Sequence, residues 1–439
     1  MSFIINFPSS CILLLLCIVW QQLQPAQSVW THTFDTVSSM LWADFAGAGY
    51  SITLTDEQID FVANTYSIIS LEKCFAMTNY STTELGVIET ARRIKAVNPS
   101  VKVIMYYNLI IDFADCYAAG NIFLAHPSWW LKDDNGNPYG GNTVRQYHDT
   151  TQTVVQDYYT NSIMTPASWP NASGLLDGVF ADGSGGTSLA NMSSTRLQQV
   201  VDSMHQMLNQ TNIAIKTVMG PNAQVIGNGL GLYPNNPPDH GMSSLPFMDG
   251  VVWEHFLAFE MLDPKNGSLI PSLFDEMVTL LTNVSSMNKT ILVKAWPGPM
   301  TTPIEPLGPQ YPNGSAPTTY EGRAEAATNG LTPSLAGFLL IVQPNVWLSY
   351  STWYTAPDGY YVCPVGECST PSNWFPDFNR SLGNPLSNVQ RLSPNVGSGW
   401  VYTRQFQYAT IYFDAVDWTN ATITWNNNNM YITPLSAQN

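Results

Sequence analysis

Two short stretches of the chain repeat a pattern that can do chemistry. LDGVFADGSGG (Leu176 to Gly186) and MDGVVWEHF (Met248 to Phe256) each carry Asp-Gly-Val and then, five residues after the Asp, a second carboxylate. Asp177 is followed by Asp182, and Asp249 by Glu254. Two carboxyl groups converging on one substrate are what glycosidic bond cleavage requires: one protonates the leaving oxygen, and the other attacks the sugar or activates water. The alternative for such a pair is a rim salt bridge or a helix cap. With 16 Lys and Arg against 32 Asp and Glu, cations to neutralise them are scarce, which favours catalysis by Asp182 and Glu254.

These acids can meet only if the fold brings them to one place. From about Trp30 onward, short apolar runs alternate with helical patterns, the order produced by βα units on a parallel sheet. Eight runs read as strands: Thr36 to Ala43, Ser67 to Cys74, Val101 to Asn108, Leu176 to Gly183, Gln224 to Leu230, Met248 to Phe256, Lys289 to Trp296 and Trp347 to Trp353. Between them, Thr82 to Val97, Ser194 to Leu208 and Leu269 to Val284 show the three-to-four spacing of amphipathic helices. The first opens with a capping pattern, Thr82-Thr83-Glu84. The reading is an α/β fold, a (β/α)8 TIM barrel whose strands end at the face where active sites are built. Asp-Gly then marks the turn leading into a strand from the lower face, so Asp177 and Asp249 are turn residues while Asp182 and Glu254 reach the rim.

Other strand ends supply candidates for gripping a substrate. Sugars offer CH faces that stack on aromatic rings, and Tyr106, Trp253, Trp296 and Trp353 stand near strand ends, with core packing as the alternative at each. Polar candidates are Glu72 and Lys73 on strand two, Asn108 on strand three, Asn228 on strand five, His255 beside Glu254, and Lys294 on strand seven. Asp44 lies just beyond strand one. Lys73 and Lys294 can instead be ion-pair partners that orient a carboxylate. Asp149 in YHDTTQ reads as a helix N-cap rather than a sugar ligand.

The rest of the chain bounds the setting. Residues 1–28 read as a signal peptide, with an apolar core from Cys11 to Trp20 and small residues at Pro25 to Ser28, although no Lys or Arg precedes the core; an uncleaved anchor is the alternative. No later stretch is long and apolar enough to span a bilayer. Charged residues are only 11% while aromatics reach 12%, so covalent glycan is a natural solubiliser. Ten Asn-x-Ser/Thr sequons occur, at Asn79, Asn171, Asn191, Asn209, Asn266, Asn283, Asn288, Asn313, Asn379 and Asn420. Four cysteines remain after the signal: Cys363 and Cys368 can staple a small loop, which leaves Cys74 and Cys116 as a second pair, with free thiols as the alternative. No ligand spacing for a metal accompanies them, and no cofactor is expected. A net charge of −16 disfavours nucleic acid and anionic membranes as partners. The barrel domain is assigned to residues 29–356, an irregular segment with the Cys363 and Cys368 staple to 357–394, and a small antiparallel β domain to 395–439, where Trp400 to Trp425 alternates polar with apolar residues.

The motifs DGVFADG, DGVVWEHF and VKVIMYYN, with LGNP, YTRQF and ATIYF in the tail, together resemble a hypothetical glycosyl hydrolase family built from a TIM barrel and a C-terminal β domain. The resemblance spans nearly the whole mature chain. It implies a catalytic acid at the end of strand four and another near strand six, the layout of α-galactosidase-like barrels, which use a retaining mechanism. On that layout Asp182 is the nucleophile and Glu254 the general acid/base. Chitinase-like barrels need a Glu at position 184, which is Ser; the clan with catalytic Glu on strands four and seven needs a carboxylate where Lys294 stands. The expectation is a secreted, glycosylated glycoside hydrolase acting on a polysaccharide or glycoconjugate, with the sugar and its anomer unread. The rivals are a non-catalytic glycan-binding or structural glycoprotein on the same barrel, and a self-assembling subunit that buries its aromatic surface against copies of itself.

Overall fold

The computed structural model describes residues 29–43, 53–141, 143–185, 189, 191–232, 239–296, 320–350 and 375–426. All eight apolar runs carry a strand, each shorter than its run: β1 (Met40–Ala43), β2 (Ile68–Leu71), β3 (Lys102–Asn108), β4 (Gly178–Asp182), β5 (Gln224–Asn228), β6 (Gly250–Phe256), β7 (Thr290–Ala295) and β8 (Val346–Tyr350). They pair in sequence order as one parallel sheet. Between the ends, Leu348 N–H donates to the carbonyl of Ser38 at 2.9 Å and Ser39 bridges Leu348, so the sheet curls round into a barrel. Strand cores such as Val103, Ile104, Met105 and Ile291, Leu292, Val293 are buried on both faces, as a parallel sheet wrapped by helices requires.

Among the described residues, six helices of ten or more residues supply the outer layer: α1 (Asp56–Thr65), α2 (Thr83–Val97), α3 (Thr153–Ala167), α4 (Ser194–Val218), α5 (Pro271–Ser286) and α6 (Tyr320–Ile341). Local chemistry fixes their starts. Thr55 and Gln58 form a reciprocal capping box on α1, and the Thr82 hydroxyl accepts from Leu85 N–H on α2. Helix α4 runs ten residues past the expected Leu208 because Thr211, Asn212 and Ile215 continue its buried face. Between β5 and β6 the described connection holds a 3-10 turn, Met242–Phe247.

The repeated Asp-Gly has a structural explanation. Asp177 accepts Val103 N–H at 2.9 Å and pairs with Lys95 at 2.6 Å; Asp249 accepts Val225 N–H at 3.0 Å and pairs with Lys216 at 2.8 Å. Each aspartate thus pins the start of the preceding strand. The following glycine admits the next strand: a Cβ on Gly178 would lie 2.2 Å from the Gln224 carbonyl oxygen, and one on Gly250 would lie 2.6 Å from that of Thr290. Both motifs are strand-entrance joints, as their placement at the lower face predicts.

After the barrel, β9 (Gln390–Arg391), β10 (Val401–Gln405), β11 (Ala409–Asp414) and β12 (Thr422–Trp425) form a separate antiparallel sheet in the order β12-β11-β10-β9. Its first strand therefore falls inside the 357–394 segment. The sheet packs on α5, where Phe413 stacks on Phe274 with centroids 4.7 Å apart, and Tyr402 donates to Asp275 at 2.7 Å. Arg404 of β10 is buried and donates to the carbonyls of Leu339, Leu340 and Val342 at the end of α6, and to Ser387 O. Burial pulls its guanidinium down to about 10, and the helix carbonyls give the cation its counter-dipole. Cys74 and Cys116 form the expected disulfide; Cys363 and Cys368 lie outside the described residues.

Candidate active site

The register of the barrel sets three polar residues side by side at its upper rim: Asn108 of β3 pairs with Asp182 of β4, which pairs with Asn228 of β5. Asp182 is gripped from both sides. Its Oδ2 accepts from the Tyr106 phenol at 2.6 Å and from Asn108 Nδ2 at 2.8 Å, while its Oδ1 accepts from Asn228 Nδ2 at 2.9 Å. Burial, then the negative charges of Asp182 and Glu72, push the Tyr106 phenol well above its usual range, so it stays protonated and remains a donor. The Asn108 amide is oriented by Ile110 and Ile111, whose N–H groups both donate to its Oδ1 at 2.8 Å. Lys73 sits 3.9 Å over the Tyr106 ring and pairs with the buried Glu72 at 3.0 Å, the ion-pair role that was the alternative for it.

Asn228 joins the two acids. The same Nδ2 that donates to Asp182 donates to Glu254 Oε2 at 2.6 Å. Its orientation follows from chemistry, since an amide oxygen turned toward two carboxylates would repel both. Asp182 and Glu254 are partly exposed, and neither points into packed apolar interior.

A break in strand register brings Glu254 to the rim. Trp253 pairs with Val293 and Phe256 with Ala295, so two residues, Glu254 and His255, face one, Lys294. Such a bulge re-aims side chains that would otherwise alternate between faces. Behind Glu254, Trp296 Nε1 donates to its backbone carbonyl at 3.0 Å, and Lys294 lies 4.0 Å from the Trp296 ring. Burial drives the Lys294 amine well below the usual lysine range, with the charge of Glu254 opposing the shift. His255 Nε2 is 4.0 Å from Glu254 Oε1, and its Nδ1 is 2.8 Å from Glu260 Oε2.

The structure thus gathers Asp182, Glu254, Tyr106, Asn108, Asn228 and His255 into one cluster, with Glu72, Lys73, Lys294 and Trp296 behind it. Five residues expected to touch substrate offer no surface for it. Glu72, Lys294 and Trp296 are fully buried supports, Tyr106 is 1% exposed with its phenol turned to Asp182, and Trp253 is 1% exposed because it points from β6 into the core. Asp149 is not the N-cap of α3: the residue in that place is Gln152, and Asp149 closes a turn before it by accepting from Thr151 and Gln152. Trp353 and Asp44 lie outside the described residues. Sequence reasoning missed Glu260, which sits in a 3-10 turn (Phe259–Met261) beyond the strand with no motif to mark it.

No curated protein matches the chain. Among solved structures, it is similar to the galactosidase domain of an α-galactosidase-sucrose kinase (12% identity, 86% of this chain and 45% of that one, TM-score 0.43). It is also similar to a GH36 α-galactosidase from Geobacillus stearothermophilus (13%, 86% and 47%, 0.42) and to an α-amylase from Geobacillus thermoleovorans (10%, 87% and 86%, 0.44). The chain spans about half the length of the α-galactosidase chains it matches. Residues 95–410, from the end of α2 through β10 into β11, match hypothetical glycosyl hydrolase family 15. That match takes in the Asp182 and Glu254 strands and the first two strands of the terminal sheet, and the chain belongs to this family of hypothetical glycosyl hydrolases.

Proposed function

We propose that the chain is a secreted glycoside hydrolase that cleaves a neutral or weakly charged polysaccharide or glycoconjugate with retention, using Asp182 as nucleophile and Glu254 as general acid/base. The observation that carries this reading is the shared amide of Asn228. Bonds of 2.9 and 2.6 Å from one nitrogen hold the bonded oxygens of the two acids no more than about 5.5 Å apart, a closeness that suits the roughly 5–5.5 Å carboxyl spacing of retaining glycosidases better than the wider gap an inverting enzyme leaves for water.

In this reading Asp182 attacks the anomeric carbon while Glu254 protonates the departing oxygen. Glu254 then takes a proton from water, whose oxygen displaces Asp182 and restores both groups. Tyr106, Asn108 and Asn228 hold the nucleophile in place through its two oxygens. The acidic rim of a chain with net charge −16 suits an uncharged sugar better than an anionic one.

Secretion is supported by the Cys74–Cys116 disulfide, which persists in oxidising compartments. Of the nine sequon asparagines within the described residues, eight are exposed and Asn379 is half-buried, so glycan attachment meets no steric barrier at those eight. Asn313 is outside the described residues. Among those residues no helix is long and apolar enough to cross a membrane.

The test is turnover of a panel of nitrophenyl glycosides by the parent, Asp182→Asn and Glu254→Gln, with the first-formed anomer read by proton NMR. Asp182→Asn is expected to lose about 10³-fold or more in kcat/KM. A variant as fast as the parent removes Asp182 from the mechanism, and an inverted first product removes retention. A parent that binds oligosaccharides yet turns over none favours a glycan-binding protein instead.

A further inference from the structure

The chain leaving β6 is bent at two unusual positions. Leu257 (φ 57°) and Phe259 (φ 54°) both adopt the left-handed backbone region, which residues with such side chains seldom occupy. Strain of this kind persists where surrounding structure holds it, and it concentrates at working sites. Here it folds Glu260 back over its own strand, so that Glu260 Oε2 lies 2.8 Å from His255 Nδ1. The Phe259 ring packs edge-on against His255 at 4.3 Å and against Trp296 at 5.3 Å. His255 is therefore held at one nitrogen and against the Phe259 ring, and its other nitrogen lies 4.0 Å from Glu254 Oε1, too far for a hydrogen bond.

Nothing in the proposed chemistry yet uses this chain of groups. With a carboxylate accepting at Nδ1, the imidazole tautomer and ring orientation are set, as they are when a carboxylate backs a working histidine. Glu254 is then bracketed, with Asn228 on Oε2 and His255 beside Oε1. Among the described residues, further charged groups near it include Lys294 from β7 and Asp182 from β4, the latter across the Asn228 amide.

We propose that His255, held by Glu260, is a positioning residue for Glu254: packed beside Oε1 without a hydrogen bond to it, the ring limits how far the carboxyl that hands its proton to the departing sugar oxygen can turn. The inference rests on the reading of Glu254 as general acid. It predicts a leaving-group signature, because a nitrophenolate departs without help while an alkoxide must be protonated.

The experiment compares a nitrophenyl glycoside that the parent turns over with the methyl glycoside of the same sugar, for parent, His255→Gln, Glu260→Gln and Asp182→Asn. The expected result for His255→Gln is a fall of about 10- to 100-fold in kcat/KM on the methyl glycoside, the range for lost supporting residues, with less than about threefold lost in kcat/KM on the nitrophenyl glycoside, whose first step needs no proton. Glu260→Gln, nearly isosteric and still able to meet the imidazole, should show the same pattern more weakly. Equal losses on both substrates, or none on either, overturn the proposal. Asp182→Asn should abolish both activities; if it does not, the site reading itself falls and this inference with it. A crystal structure of His255→Gln gives a readout independent of turnover: the Glu254 carboxyl is expected to swing away from its present place beside Asn228, and an unmoved carboxyl overturns the positioning role.

Discussion

The phenol of Tyr106 lies 2.6 Å from Oδ2 of Asp182, on the same side of that carboxylate as the Asn108 amide. Removing the hydroxyl leaves the ring, which packs edge-on against Phe180 with centroids 5.4 Å apart. Tyr106→Phe should therefore fold like the parent and lose about 10- to 100-fold in kcat, one preorganised donor to a reacting carboxylate being worth up to a few kcal/mol. Steady-state kinetics alongside a thermal melt would show this. An unchanged kcat would remove Tyr106 from the site.

Lys294 makes stability depend on pH in a definite direction. Its folded-state amine is held well below the lysine value of 10.5 by burial, so between those two values the unfolded chain carries a proton that the folded chain does not. Folding stability from this group is fully present above 10.5 and is lost as pH falls toward the depressed value. Lys294→Met lacks that dependence. Denaturant midpoints taken between about pH 7 and pH 10 should show the parent gaining on the variant as pH rises. A constant difference would mean that the amine keeps an ordinary affinity for its proton.

The two strand-entrance glycines leave no room for a methyl group. Gly178→Ala and Gly250→Ala each force a Cβ against a neighbouring backbone oxygen, at 2.2 and 2.6 Å, which the adjacent strand can relieve only by moving. Each should cost about 1–3 kcal/mol or more, read as a lowered unfolding midpoint. Full stability in both would show that the strands can slide apart cheaply.

Breaking the Cys74–Cys116 bond frees a loop of sequence separation 42 that includes α2 and β3. Chain-entropy arguments put the loss at about 4 kcal/mol. Chemical unfolding with and without reductant measures it, and coincident curves would show the bond to be idle.

Much of the barrel was legible because each βα unit writes its own period: eight apolar runs, spaced by amphipathic stretches, became eight strands in order. The Asp-Gly turns were readable for the same local reason. Asp182 could be placed at the rim by counting along a regular strand. On β6 the same count reached Glu254 but not its neighbours: Trp253, still in register with Val293, lies in the core, and the bulge beyond it puts both Glu254 and His255 at the mouth. The burial of Trp296 and Lys294 depends on what packs over the end of β7, which is a tertiary property. Glu260 was invisible because its contact depends on left-handed backbone at Leu257 and Phe259, two residue types that give no hint of it.

Arg404 has a consequence for how the molecule can be divided. The carbonyls that close helix α6 have their partner not in the barrel but on the second strand of the terminal sheet, about sixty residues later. A barrel cut free before that strand would expose the frayed end of the helix that delivers β8, the strand that seals the ring against β1. The small sheet is thus a clasp rather than an accessory, and the two halves of the chain should melt in one step.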